Sequence, residues 1–133
     1  MSDPRLAELV AAATAAREQA HAPYSRFRVG AALLAGGRVF AGVNVENASY
    51  PITQCAERNA IAAMVLAGER AIDAVAVVTD AEEPTTPCGG CRQALWEFGS
   101  RTDPVVVCGT VGGARAEHRL SALLPNAFGP SGA

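Results

Sequence analysis

Near the amino end of the chain the apolar positions Leu6, Leu9, Val10 and Ala13 recur at the spacing of one helical face. Asp3 and Pro4 stand just before them, an acceptor side chain at the cap followed by proline at the first helical position. The pattern predicts an amphipathic helix running to about Gln19 and broken by residues 21–25, which include Pro23. The next apolar runs, residues 27–34 and 38–44, are short and strand-like. Gly36-Gly37 between them tolerates the positive φ angles of a tight turn, so an antiparallel hairpin is expected.

Beyond Val43 the order becomes strand, loop, helix, strand, loop, helix, strand, which predicts parallel strands joined by right-handed crossovers. Helices are expected over residues 55–67, stopped by Gly68, and over residues 91–98, stopped by Gly99. Residues 71–79 and 104–108 are continuous apolar runs, the signature of strands buried on both faces. Residues 114–124 have room for one short strand and one helical turn. Residues 125–133 hold too much Pro and Gly for regular structure. The expected fold is α/β: a three-layer α/β/α sandwich around a mixed five-stranded sheet, forming a single domain over residues 1–133.

Composition narrows the function. A chain of 133 residues that is 50% apolar suffices for one core. Its apolar stretches are too short to span a bilayer, and Met1-Ser2-Asp3-Pro4 lacks a basic segment followed by an apolar one, so a soluble, cytoplasmic protein is expected. The formal charge is -2 with histidine neutral, arginine supplies all the fixed positive charge, and no cations run together. That excludes the footprint of a polynucleotide binder and favours a small polar ligand.

In a reducing compartment the four cysteines Cys55, Cys88, Cys91 and Cys108 are thiols or metal ligands rather than disulfides. Cys55 opens the helix after one strand, and Cys88 and Cys91 open the helix after another, so both groups fall on the carboxyl edge of the sheet, where ligands bind. Two helix N-termini favour thiolate over thiol there. Three thiolates form a zinc site whose fourth position stays open for water or hydroxide, the mark of a catalytic rather than structural centre. Three thiolates leave zinc with a net negative charge, so a nearby cation is needed. Arg58, three residues after Cys55, is expected to hydrogen-bond the sulfurs of Cys88 and Cys91. Glu57 is the candidate proton shuttle.

Other readings of the same residues remain open at this point. Cys88 and Cys91 alone read as a thioredoxin-like redox pair, which leaves Cys55 and Glu57 unexplained. A structural zinc site wants a fourth ligand from Cys108, His21 or His118, none of which sits at ligand spacing. A non-enzymatic zinc or thiol binding module is a third reading. Cys108 ends an apolar strand and reads as a buried small hydrophobe, and Trp96 as core rather than ligand platform.

Cys55-Ala56-Glu57-Arg58 followed by Pro87-Cys88-Gly89-Gly90-Cys91-Arg92-Gln93 resembles the cytidine deaminase family. The likeness extends through residues 27–33, through Asn44-Val45-Glu46-Asn47-Ala48-Ser49-Tyr50, and to Leu123-Leu124-Pro125 with Phe128. It implies a cytidine deaminase-like fold and zinc-dependent hydrolysis of free cytidine and 2'-deoxycytidine to the uracil nucleosides and ammonia, a reaction of pyrimidine salvage. It implies one zinc per subunit on Cys55, Cys88 and Cys91, with Glu57 as shuttle. By the same resemblance Phe27 packs on the pyrimidine, Asn44 and Glu46 hold the ribose 3'-hydroxyl, the Ala56 amide donates to the base carbonyl, and Tyr50 lies among the substrate-binding residues. A homotetramer with active sites at subunit interfaces is implied too, Phe128 reaching a neighbour's base pocket. A deaminase of a modified cytosine nucleoside, of the blasticidin S type, shares the metal motifs. Adenine deaminases resemble the signature with His in place of Cys55.

Overall fold

The computed structural model describes residues 3–130. Met1 and Ser2, which belong to the opening segment read above, and the last three residues of the tail lie outside the described residues. Helix α1 (Pro4–Arg17) starts where the cap chemistry directs, with the Asp3 carboxylate accepting the Arg5 amide at 2.9 Å and Pro4 in the first turn. Strands β1 (Val29–Ala35) and β2 (Arg38–Val43) form an antiparallel hairpin. Gly36 and Gly37 turn it with φ of 59° and 76°, the pair of positive values that matches strand twist. Helix α2 (Ala56–Leu66), strand β3 (Ala74–Thr79), helix α3 (Gly89–Gly99), strand β4 (Val105–Thr110), strand β5 (Arg115–Arg119) and the single turn α4 (Leu120–Leu123) follow.

The sheet runs β2-β1-β3-β4-β5, with only β3 and β4 paired in parallel. The mixed sheet and its antiparallel hairpin agree with the sequence reading, which expected the strands from β2 onward to follow one another as parallel neighbours. Instead the first strand of the hairpin inserts between β2 and β3, pairing antiparallel with each, so β2 and β3 point the same way without touching. Their carboxyl ends still open on one edge of the sheet.

The pleat divides the core in two. Ala31, Leu33, Val75, Val77, Val106 and Cys108 face α2 and α3, while Ala32, Ala74, Ala76, Val78 and Val107 face Leu9, Val10 and Ala13 of α1. β3 is buried along its whole length, as its unbroken apolar run requires. Each fully buried Leu or Val contributes about 1.5–3 kcal/mol, and the three layers follow from satisfying both faces of this strand. Cys108 has no exposed surface and packs as the small hydrophobe expected.

Two details concern the site helices. At Gly42 a Cβ would lie 2.4 Å from the Ala60 amide nitrogen and 2.5 Å from the Ala56 carbonyl, so only glycine lets α2 approach β2 this closely. Gly99 does not stop α3 as expected. It is the helix's last residue and is buried, with Leu120 and Pro104 about 3 Å from where a Cβ would sit, so its role is packing and the cap passes to Ser100.

Candidate active site

The chain leaves β2 at Val43 and is held at once. Val45 and Gln54 exchange two backbone hydrogen bonds of 2.9 Å, closing the intervening loop and delivering Cys55 to the N-cap of α2. Asn59 of α2 donates to the Val43 carbonyl at 2.8 Å, tying the helix to the strand end. After β3 the chain runs through residues 80–87 and delivers Cys88 to the N-cap of α3, with Cys91 in the first turn. Arg92 fixes that approach: its guanidinium donates to the Pro87 carbonyl at 2.7 Å, the Thr86 hydroxyl at 2.8 Å and the Leu123 carbonyl at 2.7 Å.

The sulfurs of Cys55, Cys88 and Cys91 lie within 4.8 Å of one another at the two helix N-termini. Electrostatics make this a donor set for a divalent cation. A hydrogen bond from Cys91 lowers the Cys55 thiol to about 5, helped by Arg58, while the same pairing, with burial and the Glu57 carboxylate, drives Cys91 well above the ordinary thiol range. Sulfurs this close cannot all ionise unless a cation offsets their repulsion, and soft thiolates at tetrahedral reach suit zinc. The residues present fit the ion that the sequence predicts.

Glu57 projects from the first turn of α2 and is 5% exposed. Burial raises its carboxyl above the ordinary range, and the Cys55 charge adds to the effect. A cavity of about 260 Å³ opens over it, lined by Phe27, Asn44, Ala56 and the three site cysteines. As the first residue of α2, Ala56 presents an amide with no intrahelical acceptor. Among the lining residues that sequence reading missed, Thr85 and Thr86 are short polar side chains in a segment with no periodic pattern to mark them, and Thr79 closes strand β3, where it reads only as the end of an apolar run.

The predicted residues fall into three groups. Phe27, Asn44, Ala56, Glu57 and the cysteines share the cavity. Glu46 and Tyr50 line an adjoining one of about 400 Å³ with Tyr24, Ser25 and Thr53, and Thr53 borders both. Phe128 is 85% exposed and lines neither within its own chain. The Glu46 carboxylate accepts from the Ser25 hydroxyl and from the Ser25 and Tyr24 amides, and these bonds, the Ser25 hydroxyl foremost, hold it below the ordinary carboxylate range. The Asn44 side chain accepts from the Val29 amide at 2.9 Å and donates to the Phe27 carbonyl at 2.8 Å, which leaves one N–H and one lone pair for a ligand. Arg58 departs from expectation. Its guanidinium hydrogen-bonds the sulfur of Cys55 at 3.7 Å, not those of Cys88 and Cys91, because a residue three positions on lies directly over the N-cap of its own helix.

Three sulfurs placed to hold zinc at the carboxyl edge of a three-layer α/β/α sheet, with a buried carboxyl beside them, are the arrangement of a zinc-dependent hydrolase. Residues 4–109 match the family model of the cytidine and deoxycytidylate deaminase zinc-binding region. The cytidine deaminase of Sporosarcina psychrophila is 47% identical over 122 residues, spanning 91% of this chain and 89% of that protein. The crystal structure of the Burkholderia pseudomallei cytidine deaminase superposes with a TM-score of 0.88 at 45% identity, covering 96% of this chain and 100% of the other. The Mycobacterium tuberculosis enzyme superposes with a TM-score of 0.82 at 40% identity, covering 96% and 100%. The chain belongs to the cytidine deaminase family.

Proposed function

We propose that the protein removes the exocyclic amino group of free cytidine and 2'-deoxycytidine by hydrolysis, giving uridine or 2'-deoxyuridine and ammonia. The observation that carries this reading is the buried Glu57 carboxyl, raised in pKa, beside three converging sulfurs and under a cavity walled by Phe27. Zinc held by Cys55, Cys88 and Cys91 supplies a Lewis acid that makes water a nucleophile at neutral pH. Glu57 takes the proton released as water adds to C4 of the cytosine ring and passes it to N3. It then moves a proton to the amine, which leaves as ammonia while the uracil carbonyl forms. A carboxyl whose pKa is raised toward neutrality suits both directions of transfer.

Phe27 stacks on the pyrimidine, the Ala56 amide donates to the base carbonyl, and Asn44 and Glu46 hold the ribose 3'-hydroxyl, with Tyr50 beside them. Arg58 offsets the thiolate charge. Two adjoining cavities support a base site and a sugar site joined at Thr53. We read residues 1–133 as one domain of a cytoplasmic homotetramer whose active sites form at subunit interfaces, Phe128 entering a neighbour's site. Its exposed ring, and those of Tyr24 and Tyr50 near the cavity mouth, support that assembly, and among the described residues no helix is long and apolar enough to cross a membrane. The test is ammonia release from both nucleosides by protein of known zinc content, beside Glu57→Ala. Turnover lost in the variant with zinc kept supports the reading. Zinc-loaded wild type that ignores both nucleosides refutes it.

A further inference from the structure

Phe27 and Arg28 lie beyond the β ladders, since the first pairs are Val29 with Thr79 and Gly30 with Val43. Yet Phe27 forms a cavity wall and is 37% exposed, so neither strand pairing nor core packing alone fixes it. What holds it is a set of side chains on successive backbone groups. Asn44 takes the Phe27 carbonyl and the Val29 amide, the Ser25 hydroxyl accepts the Phe27 amide at 3.0 Å, and Asp80 Oδ2 accepts the Arg28 amide at 3.0 Å. Arg26, just before, is held at φ 60°, a left-handed conformation that a non-glycine residue keeps only where its surroundings over-determine it.

Asp80 itself is placed with unusual care. Its other oxygen pairs with Nη1 of Arg17 from α1, a guanidinium only 3% exposed whose Nη2 pairs with Glu18 and whose Nε is buried without a partner among the described residues. A buried arginine with an unmatched N–H is an expensive way to gain stability and serves better to fix geometry. Arg28 Nε approaches Oδ2 at 3.4 Å. Asp80 also follows Thr79 directly, at the root of the segment that leads to Cys88, so one carboxylate joins α1, the start of β1 and the metal-bearing loop.

We propose that Asp80 is a positioning residue for the base site: through its hydrogen bond to the Arg28 amide it sets Phe27 against the cavity. Arg17 occupies the second oxygen and matches the carboxylate's charge. This rests on the cytosine nucleoside reading of the same cavity.

The experiment compares two double variants in zinc-loaded protein, Arg17→Met with Asp80→Asn and Arg17→Met with Asp80→Ala. Both lack the buried charge pair, and they differ in whether residue 80 offers an oxygen to the Arg28 amide. KM and kcat for cytidine are measured with the affinity for the product uridine by calorimetry. The alanine double is expected to bind uridine about tenfold more weakly and to raise KM about as much, with kcat within about threefold and zinc unchanged, the loss of one hydrogen bond to a charged acceptor. The asparagine double should stay within about threefold of wild type. Equal losses in the two doubles, or none in either, overturn the proposal. If the alanine double fails to fold, an asparagine double with intact kcat and zinc but tenfold weaker uridine binding overturns it alone, and near-wild-type binding upholds it. Wild type that neither turns over cytidine nor binds uridine removes the functional reading beneath it, which is distinct from wild-type activity with Asp80 variants that bind normally.

Discussion

The guanidinium of Arg58 lies 3.7 Å from the sulfur of Cys55, one turn back along the same helix. Charge assistance of this kind lowers electron density on that thiolate and would leave a bound metal a stronger Lewis acid. Arg58→Gln, which keeps a donor but removes the charge, is expected to lower turnover about 10–100-fold while zinc stays bound at one per chain. Kinetics beside metal analysis check this; turnover at the wild-type level would show that the charge has no such role.

The four cysteines should separate cleanly by metal content. Cys88→Ala or Cys91→Ala removes one of three converging sulfurs and is expected to yield protein that loses zinc on dialysis. Cys108→Ala should retain it, because that thiol packs in the core on the face of the sheet that α2 and α3 cover, with burial pushing it up to about 11. Metal loss from the Cys108 variant would contradict the assignment of ligands.

Glu46 gives the proposed sugar site its charge, and its bonds from Ser25 and Tyr24 hold its carboxyl below the ordinary range. A 3'-phosphate brings negative charge and no proton to that carboxylate. Glu46→Gln is therefore expected to narrow the preference for cytidine over cytidine 3'-phosphate by about tenfold or more in kcat/KM. The same ratio in variant and wild type would place the discrimination elsewhere.

Asp80 predicts an acid limb of stability. Partial burial works to raise its carboxyl, but the Arg28 amide and the Arg17 charge outweigh that and hold it below the ordinary range. A carboxyl lowered on folding stabilises the protein above its unfolded pKa of about 3.9, and that contribution disappears as pH falls through the lower folded value. The groups facing it are Arg17 from α1, Arg28 just before β1 and, through both arginines, Glu18. Melting temperatures measured from about pH 6 to about pH 3 should fall more steeply in wild type than in Asp80→Asn. Parallel curves would mean that the pair contributes nothing to the acid limb.

The metal centre was legible because its geometry follows from local rules: a cysteine at the head of each of two helices, and two strand ends on one edge. Strand order was not, since nothing between Gly37 and Val43 records that β1 will sit beside β3. Arg17 shows how a signal was present and passed over. It continues the buried stripe of Leu9, Val10 and Ala13 at helical spacing, a place where an arginine needs a carboxylate partner, but the partner is 63 residues away at Asp80. Arg58 failed differently. Its sequence position was right and its target sulfur wrong, because a side chain three residues along a helix meets its own N-cap before it meets the neighbouring helix.

The tail is held to α3 by its carbonyls, Gln93 donating to Phe128 and the Trp96 indole donating to Pro130, each at 3.0 Å. Trp96 is the only tryptophan in the chain. Its emission therefore comes from one indole, packed on the core and bonded through its N–H to the tail. A red shift on shortening the chain before Phe128 would make the protein its own optical gauge of tail docking, readable in a cuvette without label or substrate.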